Sequence, residues 1–236
     1  MLAAVDLSNP LLWAVMLGWI MSVVLHEFAH GLVAHLGGDY TIRQRGGLSL
    51  NPLQYIDPVN SVLLPIIFLA MGGIPFPGGS TQIRRDLLRS RAWESAVSLA
   101  GPLTNFLLFI LLLLPFHPRL GWITLDDNST AANWQLFLMC LALLQGVSVV
   151  INLIPIPPLD GFGIISPYLD PQMRQKLTTR QAATVGMLIL FFGIFSIPGI
   201  FQGIYNVVDQ ALSVLGYDPA NRYLLRKAYN HVLFNH

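Results

Sequence analysis

The chain has 236 residues, of which 54% are hydrophobic and only 11% charged, and its formal net charge is +1. A soluble domain carries roughly 25% charged residues, so this composition, with a mean hydropathy of +0.59, excludes an ordinary soluble globule and predicts an integral membrane protein. The basic residues are scattered between apolar blocks, which argues against a nucleic-acid-binding surface.

The first ten residues, MLAAVDLSNP, lack a basic n-region, and the apolar run that follows carries chemistry, so no cleaved signal is expected. That run, about Leu11 to Leu36, is long enough at ~1.5 Å per residue to cross a bilayer core of ~30 Å with some tilt. Within it lies VVLHEFAHGLVAH, Val23 to His35. His26 and His30 are four residues apart, so on a helix they share a face and can grip one metal ion, with Glu27 displaced beside them. Glu27 is the only charged residue between Leu11 and Leu36. A carboxylate at membrane depth costs about 2.5 to 3.5 kcal/mol on insertion scales, so its presence is read as functional, against the alternative of a satisfied core cluster. His35 is off the His30 face and reads as interfacial.

Gly37 and Gly38 end this span. From Asp39 to Pro58 the chain turns polar, and YTIRQR and GGLSLNP predict two brief strands near the membrane surface. Asp57 falls in this surface loop and is a weaker ligand candidate. Val59 to Ile83 holds no charge but is broken repeatedly by Gly and Pro, so it is either a span or a re-entrant element. Arg84, Arg85, Arg89 and Arg91 form a basic collar before the next span, Ala92 to Phe116, which opens on SLAGPLTNF. A polar loop with Asp126 and Asp127 leads to a third span, about Ala131 to Ile154, containing the lone cysteine, Cys140, read as packing.

The third span ends in NLIPIPPLDG, Asn152 to Gly161. A catalytic zinc keeps three protein ligands and one open position, and His26 with His30 supplies two. Asp160 is the best candidate for the third, reached after Pro155, Pro157 and Pro158 break the helix, although an aspartate here could instead cap a following helix. With zinc bound, Glu27 is placed to act as general base and then to protonate the leaving amine. Asn152 and Asn105 are candidate oxyanion donors, with interhelical hydrogen bonding as the alternative for both.

These motifs, HEFAH at 26–30, AGPLTN at 100–105 and NLIPIPPLDG at 152–161, resemble those of the site-2 protease family of zinc intramembrane metalloproteases, in order and each within or beside an apolar span. GGLSLNPLQYIDPVNSVLLP resembles a compact branch of that family without PDZ or CBS modules. The resemblance implies one Zn2+ per chain and a role for Asn152 and Pro158 in seating the substrate. IPFPGGSTQIRRD at 74–86 departs from the Trp-Ala-Lys-Pro-Val-Pro-like segment expected there, which touches substrate gating and leaves the ligands intact.

Zinc geometry also bears on topology. If Val59 to Ile74 crossed fully, Asp160 would face the opposite leaflet from the His-bearing end of the first span. If Val59 to about Gly79 dips and returns, the two meet. The returning path puts Arg43, Arg45, Arg84, Arg85, Arg89, Arg91, Arg174, Lys176 and Arg180 on one side, nine of the thirteen basic residues, and by the positive-inside rule that side is cytoplasmic.

After a polar loop to Arg180 comes an apolar block, Gln181 to Leu215, expected to form one span and an interfacial half-helix. The expected fold is therefore an all-α polytopic membrane protein. Its core is three spans (11–36, 92–116, 131–155) around the zinc site, joined by a short β or re-entrant element and one or two C-terminal membrane helices. Residues 1–215 make up the membrane metalloprotease domain, and 216–236 form a tail read either as an interfacial amphipathic helix or as a frayed end, with His231 and His236 exposed.

Cleavage within a bilayer requires the substrate helix to unwind and its backbone to find new partners. Gly46 to Leu50 is the expected pairing edge, with Gly72 to Gly79 as a gate. The expected function is hydrolysis of peptide bonds in or near transmembrane segments of membrane proteins, in a plasma or inner membrane with the site toward the cytoplasm. The competing classes are a polytopic metal transporter, whose ligands would have to form a relay across the membrane, and a catalytically silent membrane chaperone.

Overall fold

The computed structural model describes residues 8–57, 61, 78–123, 132–197 and 199–234. Most of the expected span or re-entrant element at 59–79 (59, 60 and 62–77), the larger part of the proposed gate, Asp126, Asp127 and His236 lie outside them. Among the described residues, three helices are long and apolar enough to cross a membrane: α1 (Pro10–Gly37), α2 (Arg91–Leu113, continued to Phe116 by a 3-10 turn) and α3 (Asn133–Asn152). They coincide with the three expected spans to within a few residues at each end.

Each start has a local cause. Asn9 caps α1 by accepting from the Leu11 N–H at 2.9 Å, and Pro10 occupies the first turn, where its missing N–H costs nothing. Ser90 caps α2 through the Trp93 N–H. At the far end of α1, Gly38 has φ 124°, a conformation that favours glycine, and its N–H closes on Ala34 and His35 carbonyls.

Side-chain contacts fix the helix directions. Gly18 of α1 packs on Phe137 and Leu141 of α3, and Ser22 meets Gln145, so these two helices run parallel. Asn105 of α2 meets Ser148, and Phe109 meets Gly146, so α2 runs antiparallel to α3. The Arg89 N–H donates to the Gly37 carbonyl at 2.9 Å. The chain thus leaves α1 and enters α2 at one end of the bundle, the condition under which the histidines and Asp160 can meet.

The three helices are held together by close packing and a few polar contacts. Gln145, with 0% exposure, donates to Ser22 Oγ at 2.9 Å, and Ser22 Oγ in turn donates to the Gly18 carbonyl. Leu99, Leu103, Leu107 and Leu111 form an exposed apolar stripe at four-residue spacing along α2, suited to a lipid-facing surface.

The short α4 (Asp160–Ile165) docks on α2, where Ser95 Oγ donates to the Ile164 carbonyl at 2.6 Å and Gly163 lies against Ser98. Beyond it lie α5 (Pro171–Leu177), α6 (Arg180–Ser196), α7 (Ile200–Val214) and α8 (Pro219–Phe234). Gly186 of α6 meets the Pro157 carbonyl so closely that a Cβ would overlap it, which braces the segment before Asp160. The 17 residues of α6 reach only the lower limit of a spanning helix. The last helix is not frayed: Leu225, Ala228, Tyr229, Val232 and Leu233 of α8 are buried in the cluster with Met139, Cys140 and Leu143 of α3. His231 is exposed, as expected.

The two strands expected from Tyr40 to Pro52 do not form, and no strand occurs among the described residues. The cause is Asp39, fully buried, which accepts from Thr41 Oγ1 at 2.5 Å, an Arg45 guanidinium nitrogen at 2.6 Å and the Arg84 N–H at 2.9 Å. Those three donors curl the chain into a 3-10 turn, Tyr40–Ile42, followed by tight turns through Gly46, at φ 80°.

Candidate metal centre

His26 and His30 project from one face of α1, on the same four-residue stripe as Gly18 and Ser22. Their Nε2 atoms are 3.0 Å apart. Asp160, first residue of α4, places Oδ2 at 3.2 Å from His26 Nε2 and Oδ1 at 3.3 Å from His30 Nε2. Glycine makes this possible: Gly161 folds so tightly under the Leu153 and Ile154 carbonyls that any Cβ would overlap them.

The donor set fits zinc. A tetrahedral ion with bonds of about 2.0 to 2.2 Å needs ligand atoms about 3.3 to 3.6 Å apart, and the observed triangle comes close to this on all three sides. His30 Nδ1 lies 2.6 Å from the Val97 carbonyl of α2. That bond requires the proton on Nδ1 and leaves Nε2 free as a ligand, the usual outer-shell arrangement of a metal-binding histidine. Gly101, one turn further along α2, faces both Nε2 atoms, and a Cβ there would fill the cradle. Burial pushes the Asp160 carboxyl up, but the imidazoles beside it overcome this and hold it below the ordinary carboxylate value.

Glu27 is buried, adjacent in sequence to His26 of the cluster. Gly79 packs on its side chain so closely that a Cβ would sit 2.8 Å from Glu27 Cγ. Thr81 Oγ1 donates to the Glu27 carbonyl at 3.2 Å. Four residues beyond Glu27, Gly31 receives the Gly47 carbonyl, so the start of the Gly46–Leu50 segment, expected as a pairing edge, lies against α1 as turns rather than a strand. Burial, with the Glu27 charge adding, raises the Tyr55 phenol above its ordinary value.

The asparagines converge on a residue that sequence reasoning missed. Asn105 Nδ2 donates to Ser148 Oγ at 2.6 Å, and Asn152 Nδ2 reaches the same oxygen at 3.2 Å. The available signal was the four-residue spacing of Ser148 and Asn152. Pro158 is exposed, just before Asp160, and follows a cis peptide bond. His35 and Asp57 are not in the cluster; His35 instead stacks edge-on with Tyr40.

No family model matches the chain, and no solved structure does. Among curated proteins, it is 40% identical over 179 residues to a protein of Mycolicibacterium smegmatis named as a zinc metalloprotease, Rip2, covering 74% of this chain and 66% of that one. It is 34% identical over 184 residues to the similarly named YwhC of Bacillus subtilis, covering 76% and 78%. Zinc metalloprotease MJ0392 of Methanocaldococcus jannaschii is 29% identical over 196 residues, covering 80% of this chain and 46% of that one. The chain thus spans about two thirds of the length of the mycobacterial relatives it matches. By its likeness to the Bacillus protein over most of both lengths, the chain belongs to this zinc metalloprotease family.

Proposed function

We propose that the protein is a zinc-dependent intramembrane endopeptidase of the site-2 protease type that hydrolyses peptide bonds in or near transmembrane segments of membrane proteins. The observation that carries this reading is the His26, His30 and Asp160 triangle beside a buried glutamate, at one end of three helices apolar enough to cross a membrane. His26, His30 and Asp160 would hold the zinc, which when bound supplies Lewis-acid polarisation of the scissile carbonyl and acidifies water.

The chain's own groups do the rest. Glu27, buried beside the histidines, accepts the proton of the attacking water and delivers it to the leaving amine. The Val97 carbonyl keeps His30 in its ligating tautomer, and burial of the cluster limits competing solvent. Asn152, half-buried at the end of α3 and eight residues before Asp160, is assigned to the substrate carbonyl. Pro158, exposed beside Asp160, seats the substrate. The basic collar at Arg84–Arg91 lies at the metal-bearing end, so that end faces the cytoplasm.

The test is Glu27→Gln in protein reconstituted with transmembrane-segment peptides. The expected result is one zinc per chain with cleavage lost. Retained cleavage would falsify the proton-transfer assignment. Metal flux that persists in the variant would indicate a transporter, and peptide binding without cleavage in the zinc-loaded wild type would indicate a chaperone.

A further inference from the structure

A second recess lies on α1. Ile20, Val23, Val24 and Glu27 follow one another at helical spacing, so they share a face that adjoins the His26 and His30 stripe. Over the first three of these lies a half-open pocket of about 280 Å³, lined also by Pro52, Tyr55, Ile56, Ser61, Gly78 and Gly79. Its walls are fixed by local bonds. Tyr55 is buried with its hydroxyl on the Ser49 carbonyl at 2.6 Å, the Ser80 N–H donates to the Tyr55 carbonyl, and Ser61 Oγ donates to the Gly78 carbonyl.

We propose that this pocket is the subsite for an apolar substrate side chain one or two residues from the scissile bond, on the membrane-core side. The inference rests on the protease reading and deepens it. Gly79 is the link: the same residue walls the pocket and packs on the Glu27 side chain. Val23 and Val24 lie about 5 Å along the helix axis from Glu27 at ~1.5 Å per residue, which an unwound substrate at ~3.3 Å per residue spans in one or two positions. The lining is mostly apolar, and the volume suits one side chain better than a free ligand, whose pockets start near ~300 Å³. A leucine, isoleucine or phenylalanine beside the cut is therefore favoured, and a charged residue excluded.

The test uses wild type and Ile20→Trp, which fills the pocket away from the metal ligands. The probes are synthetic transmembrane peptides in phosphatidylcholine vesicles that differ only in carrying Leu or Ala at each position flanking the cut, with products mapped by mass spectrometry. Wild type should prefer Leu at one such position, and Ile20→Trp should reduce that Leu-over-Ala ratio in kcat/KM by about tenfold or more. An unchanged ratio overturns the proposal. In a Glu27→Gln background, a photoreactive phenylalanine at position 56 should crosslink to the peptide at the same residue; crosslinks to lipid alone overturn it. Peptide crosslinking with no cleavage by zinc-loaded wild type would sink the protease reading and keep the pocket as a binding subsite.

Discussion

His30 Nδ1 and the Val97 carbonyl oxygen, on two different helices, lie 2.6 Å apart. The contact ties one of the three candidate metal ligands, on α1, to the backbone of α2, so metal affinity is expected to depend on how closely the two helices approach. Gly101 permits that approach, since a Cβ there would overlap both Nε2 atoms. Gly101→Ala is therefore expected to abolish zinc binding, although alanine is the better helix former by about 1 kcal/mol. Gly203→Ala, in α7 with nothing within 4 Å of the added methyl, should leave zinc content unchanged. Metal analysis of the two purified variants decides the matter, and equal zinc in both would remove the cradle argument.

Asp39 gives a pH dependence whose sign can be worked out. Burial raises its pKa, but the hydrogen bonds from Thr41, the Arg84 N–H and Arg45, with the Arg45 charge, outweigh this and leave it below 3.8. A carboxyl with a depressed folded pKa contributes stability that is complete above the unfolded value and is lost as pH falls through the folded value. Thermal unfolding in detergent should therefore show an acid limb beginning below about pH 4, and Asp39→Asn should lower stability at neutral pH while flattening that limb. An acid limb unchanged in the variant would assign it to other carboxylates.

The grouping of His26, His30 and Asp160, with Glu27 beside it, was legible in the sequence because each residue sits where its surroundings make it improbable otherwise. His26, Glu27 and His30 interrupt an apolar run at helical spacing, and Asp160 follows prolines that must end a helix. The turns from Tyr40 to Ser49 were not legible. Alternation in YTIRQR is a strand pattern, and only the fold shows that Asp39 draws Thr41, Arg45 and Arg84 onto one carboxylate. Ser22, Gln145 and Ser148 were hidden for a different reason. A single small polar residue in an apolar span gives no sign of whether it meets a partner helix or only its own backbone.

The Asn105, Ser148 and Asn152 group separates structure from catalysis. Asn105 is 4% exposed and its Oδ1 has no hydrogen-bond partner among the described residues, where its donation to Ser148 links the two helices. Such bonds within membranes contribute about 0.6 kcal/mol on average. Asn105→Ala should lower thermal stability modestly and reduce kcat/KM little. Asn152→Ala, at a half-buried site that shares the same oxygen, should leave stability almost unchanged and lower kcat by about a hundredfold if its amide serves the oxyanion. Equal thermal shifts with equal activity would show both asparagines to be structural.

The last helix provides a test of how far the core extends. An amphipathic pattern such as Leu225, Ala228, Tyr229 and Val232 suits a membrane surface or a protein neighbour equally well, but here that face is buried against α3 and α7. Leu225 has 0% exposure, whereas Tyr223, two residues earlier, is 57% exposed. Truncating a buried leucine costs about 2 to 5 kcal/mol through lost contacts and the cavity left behind, while a surface change away from such features stays within about 0.5 kcal/mol. Leu225→Ala should therefore lower the unfolding temperature in detergent markedly, and Tyr223→Ala should not. A helix lying loose on the bilayer would give two small, similar shifts, because neither side chain would then be packed against α3.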